Sequence, residues 1–231
     1  MQSQNGHYLK NMQQLTHTKY LALCYNATPL VRNRYGDKVL QLSNGQILKL
    51  FRVKHLISSA RIRSHAIRFA LNAGKLADRD IRTVSVQTVY NIPSISRTAV
   101  QYRPIEGVPL CDHLKKMPFT PELTEHLAMF MARLHAQGIY FRAIHFANII
   151  VLPNGGFGLI DVDNMKIGKK ALNLSKRLKN FRQFTKYEKD RGLFSLQGPA
   201  FTATYLKTST LELSPIQQRR FESKIYRVIC R

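Results

Sequence analysis

Gly138-Ile139-Tyr140-Phe141-Arg142-Ala143-Ile144-His145-Phe146-Ala147-Asn148-Ile149-Ile150-Val151, followed by Gly158-Leu159-Ile160-Asp161-Val162-Asp163, decides how this chain reads. Ile149 to Leu152 and Gly158 to Ile160 are short apolar runs joined by Pro153-Asn154-Gly155-Gly156, which has the composition of a hairpin turn. Such a hairpin returns the chain on itself and could bring Asn148, just before the first run, and Asp161, just after the second, to one cleft. An amide carbonyl and a carboxylate are hard oxygen ligands of the kind Mg2+ takes alongside water and phosphate oxygens. The plainer reading is a turn-capping Asn148 and a loop carboxylate at Asp161.

Upstream, Thr120-Pro121-Glu122 reads as a helix start, with Thr as N-cap and Pro at the first helical position. Leu123, Leu127, Phe130 and Leu134 form its expected buried stripe and Gly138 its stop. Before it, Pro104, Gly107 and Pro109 form a breaker cluster suited to a linker. Further back, Val39 to Leu42 and Ile47 to Phe51 flank Ser43-Asn44-Gly45, a strong hairpin signal. Ser58/Ser59 open an expected helix through about Leu76, with Ile62, Ala66, Phe69, Ala70 and Ala73 on one face. Val84 to Tyr90 and Thr98 to Tyr102 read as strands, residues 1–26 as little more than a packed arm, and Met165 to Arg231 as basic helices. This order predicts an α+β chain: an antiparallel-sheet N-lobe over 1–103 and a small, mostly helical C-lobe over 104–231.

Phosphoryl transfer needs a cation on the phosphates, ligands for Mg2+, and a group that orients or deprotonates the acceptor hydroxyl. Lys49, in the apolar run Ile47 to Phe51, is a candidate for the first part, although a lysine in a strand is commonly a solvated edge charge. Arg34-Tyr35-Gly36-Asp37-Lys38 is a basic turn with a single glycine, able to grip phosphates through Lys38 or simply to face water. No Glu lies between Phe51 and Asp78 to pair with Lys49, whereas Asn72 could orient it by a hydrogen bond. Ala143 stands five residues before Asn148 and has no proton acceptor. His145, two residues on, is either a general base with an ordinary pKa of about 6.5 or a structural hydrogen-bonder.

The central segment resembles the aminoglycoside phosphotransferase and protein kinase pattern His-x-Asp-Leu-His-x-x-Asn, with Phe141 for the first His, Ala143 for the Asp, and His145 at the second His. It is more similar to the bacterial lipopolysaccharide core kinase-like group known as toluene tolerance proteins. The similarity rests on Gly36-Asp37-Lys38-Val39, Lys49-Leu50-Phe51, Arg68-Phe69-Ala70-Leu71-Asn72-Ala73, Tyr102-Arg103-Pro104-Ile105-Glu106-Gly107, Leu159-Ile160-Asp161, and the basic run to Asp190-Arg191. This resemblance implies a two-lobed protein kinase-like fold, ATP and Mg2+ as cofactors, and phosphorylation of a lipopolysaccharide inner-core sugar. It makes His145, Arg142 and Asp161 the catalytic candidates and Asn148 with Asp161 the metal ligands. Lys49, Lys38, Asn72 and Tyr102 become the nucleotide-binding set. It also implies a cytoplasmic protein, peripheral on the inner membrane of a Gram-negative bacterium.

Composition bounds the partners. The 231 residues include 36 Lys and Arg against 13 Asp and Glu, a net +23 that favours polyanions. A hydrophobic content of 44% separates this chain from disordered basic tails. Cys24, Cys111 and Cys230 form no CxxC pair, which fits a reducing compartment, and no apolar run is long enough to span a bilayer. The first residues lack the apolar core of a signal peptide. Between Lys166 and Arg191, ten Lys and Arg alternate with Leu172, Leu174, Leu178, Phe181 and Phe184, a solvated helix face or a contact for phosphorylated glycolipid and the anionic inner leaflet. Three function classes follow: a sugar kinase, a pseudokinase that binds nucleotide or proteins without transfer, and a nucleic-acid binder. The last rests on charge alone, with no accompanying motif. Oligomeric state is not legible.

Overall fold

The computed structural model describes residues 12–53, 64–209 and 211–230. The chain forms two compact units, one ending at Ile105 and the other beginning at Glu106. The fold is α+β: an antiparallel-rich sheet dominates the first unit and helices the second.

The first unit opens with β1 (Gln13–Gln14) and α1 (His17–Leu23). There follow β2 (Thr28–Asn33), β3 (Gly36–Gln41), β4 (Ile47–Arg52), α2 (His65–Ala77), β5 (Arg82–Thr83), β6 (Ser85–Ile92) and β7 (Arg97–Arg103). Six of these strands make one sheet in the order β1-β6-β7-β4-β3-β2, antiparallel except where the short β1 lies parallel to β6. The β3–β4 hairpin forms as expected, Leu40 opposite Leu48, with the Asn44 side chain accepting from the Gln46 amide. Central β4 is buried on both faces, and alternation splits its residues. Leu48 and Leu50 join Leu15, Leu40, Ile92 and Ala99 in a core against which Tyr20 and Leu23 of α1 pack. Ile47, Lys49 and Phe51 point the other way, toward α2. The expected start of that helix at Ser58/Ser59, with Ile62, lies outside the described residues; His65–Ala77 is capped by Ser64, whose hydroxyl accepts from the Ile67 amide. Ala66, Phe69, Ala70 and Ala73 are buried, as the spacing predicts.

The second unit contains β8 (Val108–Pro109), α3 (Leu110–Lys116), α4 (Pro121–Ala136), β9 (Ile139–Phe141), β10 (Ile149–Val151), β11 (Phe157–Leu159), β12 (Met165–Ile167), α5 (Leu174–Phe184), α6 (Glu188–Phe194), α7 (Gly198–Thr208) and α8 (Pro215–Cys230). Helix α4 begins at Pro121 with Thr120 as its cap. Its buried stripe, however, runs through Thr124, Leu127, Ala128, Met131 and His135, and leaves Leu123 and Phe130 half-exposed. Gly138 stops it at φ +72°, where a Cβ would meet the Lys170 carbonyl at 2.4 Å. Strands β9 and β12, which pair antiparallel with Phe141 opposite Met165, were not expected. Three-residue strands carry too little periodicity to be read. Helix α5 buries only part of its apolar set. Its buried residues are Arg177, Asn180, Phe181 and Phe184, whereas Leu174 and Leu178 remain half-exposed. Among the described residues no helix is long and apolar enough to cross a membrane.

Candidate functional site

Strands β10 and β11 pair antiparallel, Ile149 opposite Leu159 and Val151 opposite Phe157. The Ile160 amide donates to the Asn148 carbonyl at 3.1 Å and continues the ladder one step beyond the strands. Asn148 and Asp161 therefore leave the hairpin at the same end. Asp161 sits in left-handed backbone (φ 59°, ψ 44°), a conformation that costs most L residues about 1 kcal/mol or more and that Asp tolerates better than most. Such strain is held where the surroundings over-determine it, commonly at functional sites.

The Asn148 side chain is buried and oriented. Its Nδ2 donates to the Ala143 carbonyl at 2.9 Å and to His145 Nε2 at 3.1 Å. Both contacts require the amide nitrogen, and no hydrogen bond engages Oδ1 among the described residues, so that oxygen is the atom that could serve a ligand. An Asn oxygen and an Asp carboxylate are a donor pair that suits Mg2+, with water and phosphate completing the shell. Among the described residues no cluster of three or more His, Cys, Asp or Glu is present.

The same contact defines His145. Asn148 Nδ2 can only donate, so Nε2 accepts and the ring proton sits on Nδ1, which is buried without a partner among the described residues. Burial holds the imidazole below its ordinary pKa; Asp161 pulls it back up, and Lys186 and Lys189 push it further down. The ring lies edge-on to Tyr187, centroids 5.2 Å apart. The nitrogen a base would use is thus directed at Asn148. Arg142 is exposed, its amide bonded to the Asn164 carbonyl just beyond Asp161.

Three anchors fix this loop, and sequence reasoning found none of them. Phe146, fully buried, packs against Phe119, Phe184 and Phe194 in an aromatic core. Asp190 of α6, 1% exposed, accepts from the Phe146 amide; burial raises its carboxyl pKa against that bond and Lys189. The third is a buried hydrogen-bond chain. Arg177 Nη1 donates to the Tyr205 hydroxyl at 2.8 Å, and that hydroxyl donates to His135 Nδ1 at 2.8 Å. His135 Nε2 donates to Asn180 Oδ1 at 3.2 Å, and Asn180 Nδ2 donates to the Phe141 carbonyl at 2.6 Å. Burial and the Arg177 charge drop the His135 pKa to about 3, so it stays neutral and the chain keeps one direction. The faint signal for it was polar residues, Arg177 and Asn180, at helical spacing beside Phe181 and Phe184.

The remaining candidates belong to the first unit. Lys49 is 5% exposed, its ammonium 5.6 Å from the Phe51 ring centroid and 5.5 Å from that of Phe69. Aromatic faces favour the cation and keep it out of water. Tyr102 stacks on Phe69, centroids 5.3 Å apart, and its strand position lies on the same sheet face as Lys49. Asn72 is buried on α2, three residues after Phe69. Lys38 stands apart: it is exposed beside Asp37, which pairs with Arg32.

No protein-family model matches the chain, and no curated protein does. Among solved structures it is similar to a co-crystal structure of WbdD with the kinase inhibitor LY294002, at a TM-score of 0.49 and 17% identity. The match covers 85% of this chain and 45% of that one, so the chain spans under half the length of that protein.

Proposed function

We propose that this chain is a protein kinase-like phosphotransferase that uses Mg2+ and ATP to phosphorylate a sugar hydroxyl, the lipopolysaccharide inner core being the acceptor that the family resemblance names. The observation that carries the reading is the shared hairpin end of Asn148 and Asp161, with the Asn148 amide tied down and its oxygen left over. When bound, Mg2+ supplies charge neutralisation on the phosphate oxygens. Asn148 Oδ1 and the Asp161 carboxylate are the groups that would hold it. Lys49 is the phosphate-pairing cation, and Tyr102 and Asn72 belong to the nucleotide side. His145 acts by fixing Asn148. With alanine at 143, the acceptor proton has no carboxylate to take it there. A loose transition state tolerates this, because the hydroxyl is barely deprotonated when the phosphoryl group moves and positioning with charge lowers most of the barrier. The acceptor class and the +23 charge together support work at an anionic membrane surface.

A second reading, nucleotide binding without transfer, is favoured by Ala143 and by the engagement of His145 Nε2 with Asn148. One experiment separates the two: radiolabelled ATP with Mg2+, incubated with and without purified lipopolysaccharide core. Label transfer abolished by Asp161→Ala supports the kinase. Mg2+-dependent ATP binding with no transfer to any core acceptor supports the second reading.

A further inference from the structure

Helices α5 and α8 of the second unit pack side by side and leave a groove of about 380 Å3 between them. Its floor is Leu174, Leu178 and Phe221; its walls carry Lys179 and Arg182 from one helix, Arg220 and Lys224 from the other. All four cations are exposed, and none makes an ion pair or hydrogen bond among the described residues. Leu174 and Leu178 stay half-exposed because they line this groove, whereas Phe181 on the same helix is buried in the core. Ile216, at the start of α8, is 65% exposed.

We propose that this groove seats an anionic lipid of a membrane surface, its phosphate held by the wall cations and the start of an acyl chain on the floor. Charge complementarity selects the headgroup: each helix contributes two exposed cations to the lining, and no carboxylate lines the groove. The floor selects a chain over a nucleobase. Leu174 and Leu178 are aliphatic, and Phe221, 2% exposed, offers no ring face for stacking. Each cation near an anionic surface contributes on the order of 1 kcal/mol, so removing two lowers binding by about tenfold or more. This site makes no use of Asn148, Asp161 or Lys49, and stands whether or not the chain transfers phosphate.

The test is co-sedimentation of the full chain with vesicles of phosphatidylcholine alone and of phosphatidylcholine mixed with phosphatidylglycerol. Wild type binds the mixed vesicles; Lys179→Gln with Lys224→Gln loses about tenfold, whereas Lys116→Gln with Lys207→Gln, equal charge removed elsewhere, changes binding less than twofold. Leu178→Ser weakens vesicle binding but leaves binding to soluble polyphosphate unchanged, which separates a lipid chain from a phosphate alone. Circular dichroism melts confirm that each variant is folded. Equal binding to both vesicle types, equal loss in the two double variants, or a Leu178→Ser effect shared by polyphosphate would overturn the proposal. So would wild-type binding to a single-stranded RNA oligomer with none to mixed vesicles.

Discussion

Asn148 donates its side-chain amide to the carbonyl of Ala143, 2.9 Å away, and shares the same nitrogen with His145. The residue at the position where a kinase loop carries its acid thus contributes only backbone, and that backbone fixes the orientation of a proposed metal ligand. In the function proposed above, this loop would hold a cation while lacking, at Ala143, a side chain that could take a proton.

The role of His145 is testable on this basis. His145→Ala removes an acceptor of the Asn148 amide, so affinity for Mg2+ with ATP should fall about threefold to tenfold, the scale of one hydrogen bond. If His145 were the base, turnover would collapse with nucleotide affinity unchanged. Titration calorimetry beside a turnover assay distinguishes these outcomes.

Protonation should do what the mutation does. Burial depresses the His145 pKa below 6.5, so the ring is neutral above that value and Nε2 accepts. As pH falls below 6.5 and through the depressed value, Nε2 gains a proton and can no longer accept from Asn148. Mg2+-dependent ATP affinity should be level from about pH 6.5 to 8 and decline on the acid side. A profile that instead rises toward acid would contradict the bracing role.

The buried chain under the loop gives a stability prediction. Tyr205→Phe removes the hydroxyl that links Arg177 to His135 and leaves two buried groups unsatisfied, at a cost of about 1–3 kcal/mol each. Chemical denaturation should show the loss. His135 adds a pH signature: its pKa is about 3 in the fold against 6.5 outside it, so the unfolded chain binds the proton first. Stability is full above about pH 6.5 and falls as pH drops toward 3. Replacing His135 with Gln should flatten that limb.

Lys49 should separate function from folding. Lys49→Met keeps most of the length of a nearly buried side chain beside Phe51 and Phe69, so the variant should still fold, as circular dichroism would show. ATP affinity should fall at least tenfold, as measured by fluorescence titration with a nucleotide analogue.

Much of this was legible in the sequence, unevenly and for physical reasons. The β3–β4 hairpin, the Thr120 cap and the Gly138 stop were readable because each depends on local backbone chemistry. The exit of Asn148 and Asp161 at one end of the hairpin was readable because only that short hairpin separates them. Strands β9 and β12 were not, since each is three residues long and its partner lies more than twenty residues away. Arg177 was counted among the solvated cations, and the burial of Asn180 and Asp190 was not read at all. Their burial depends on partners, Tyr205, Phe141 and Phe146, that only the folded chain brings near.

The central claim is that Asn148 and Asp161 hold a cation for a bound nucleotide. Calorimetric titration of ATP into wild type and Asp161→Ala, each with Mg2+ and with chelator, tests it most directly. Wild type should bind at least tenfold more tightly with Mg2+, and Asp161→Ala, still folded, should bind equally weakly in both conditions. Undiminished, Mg2+-dependent binding by Asp161→Ala would contradict it.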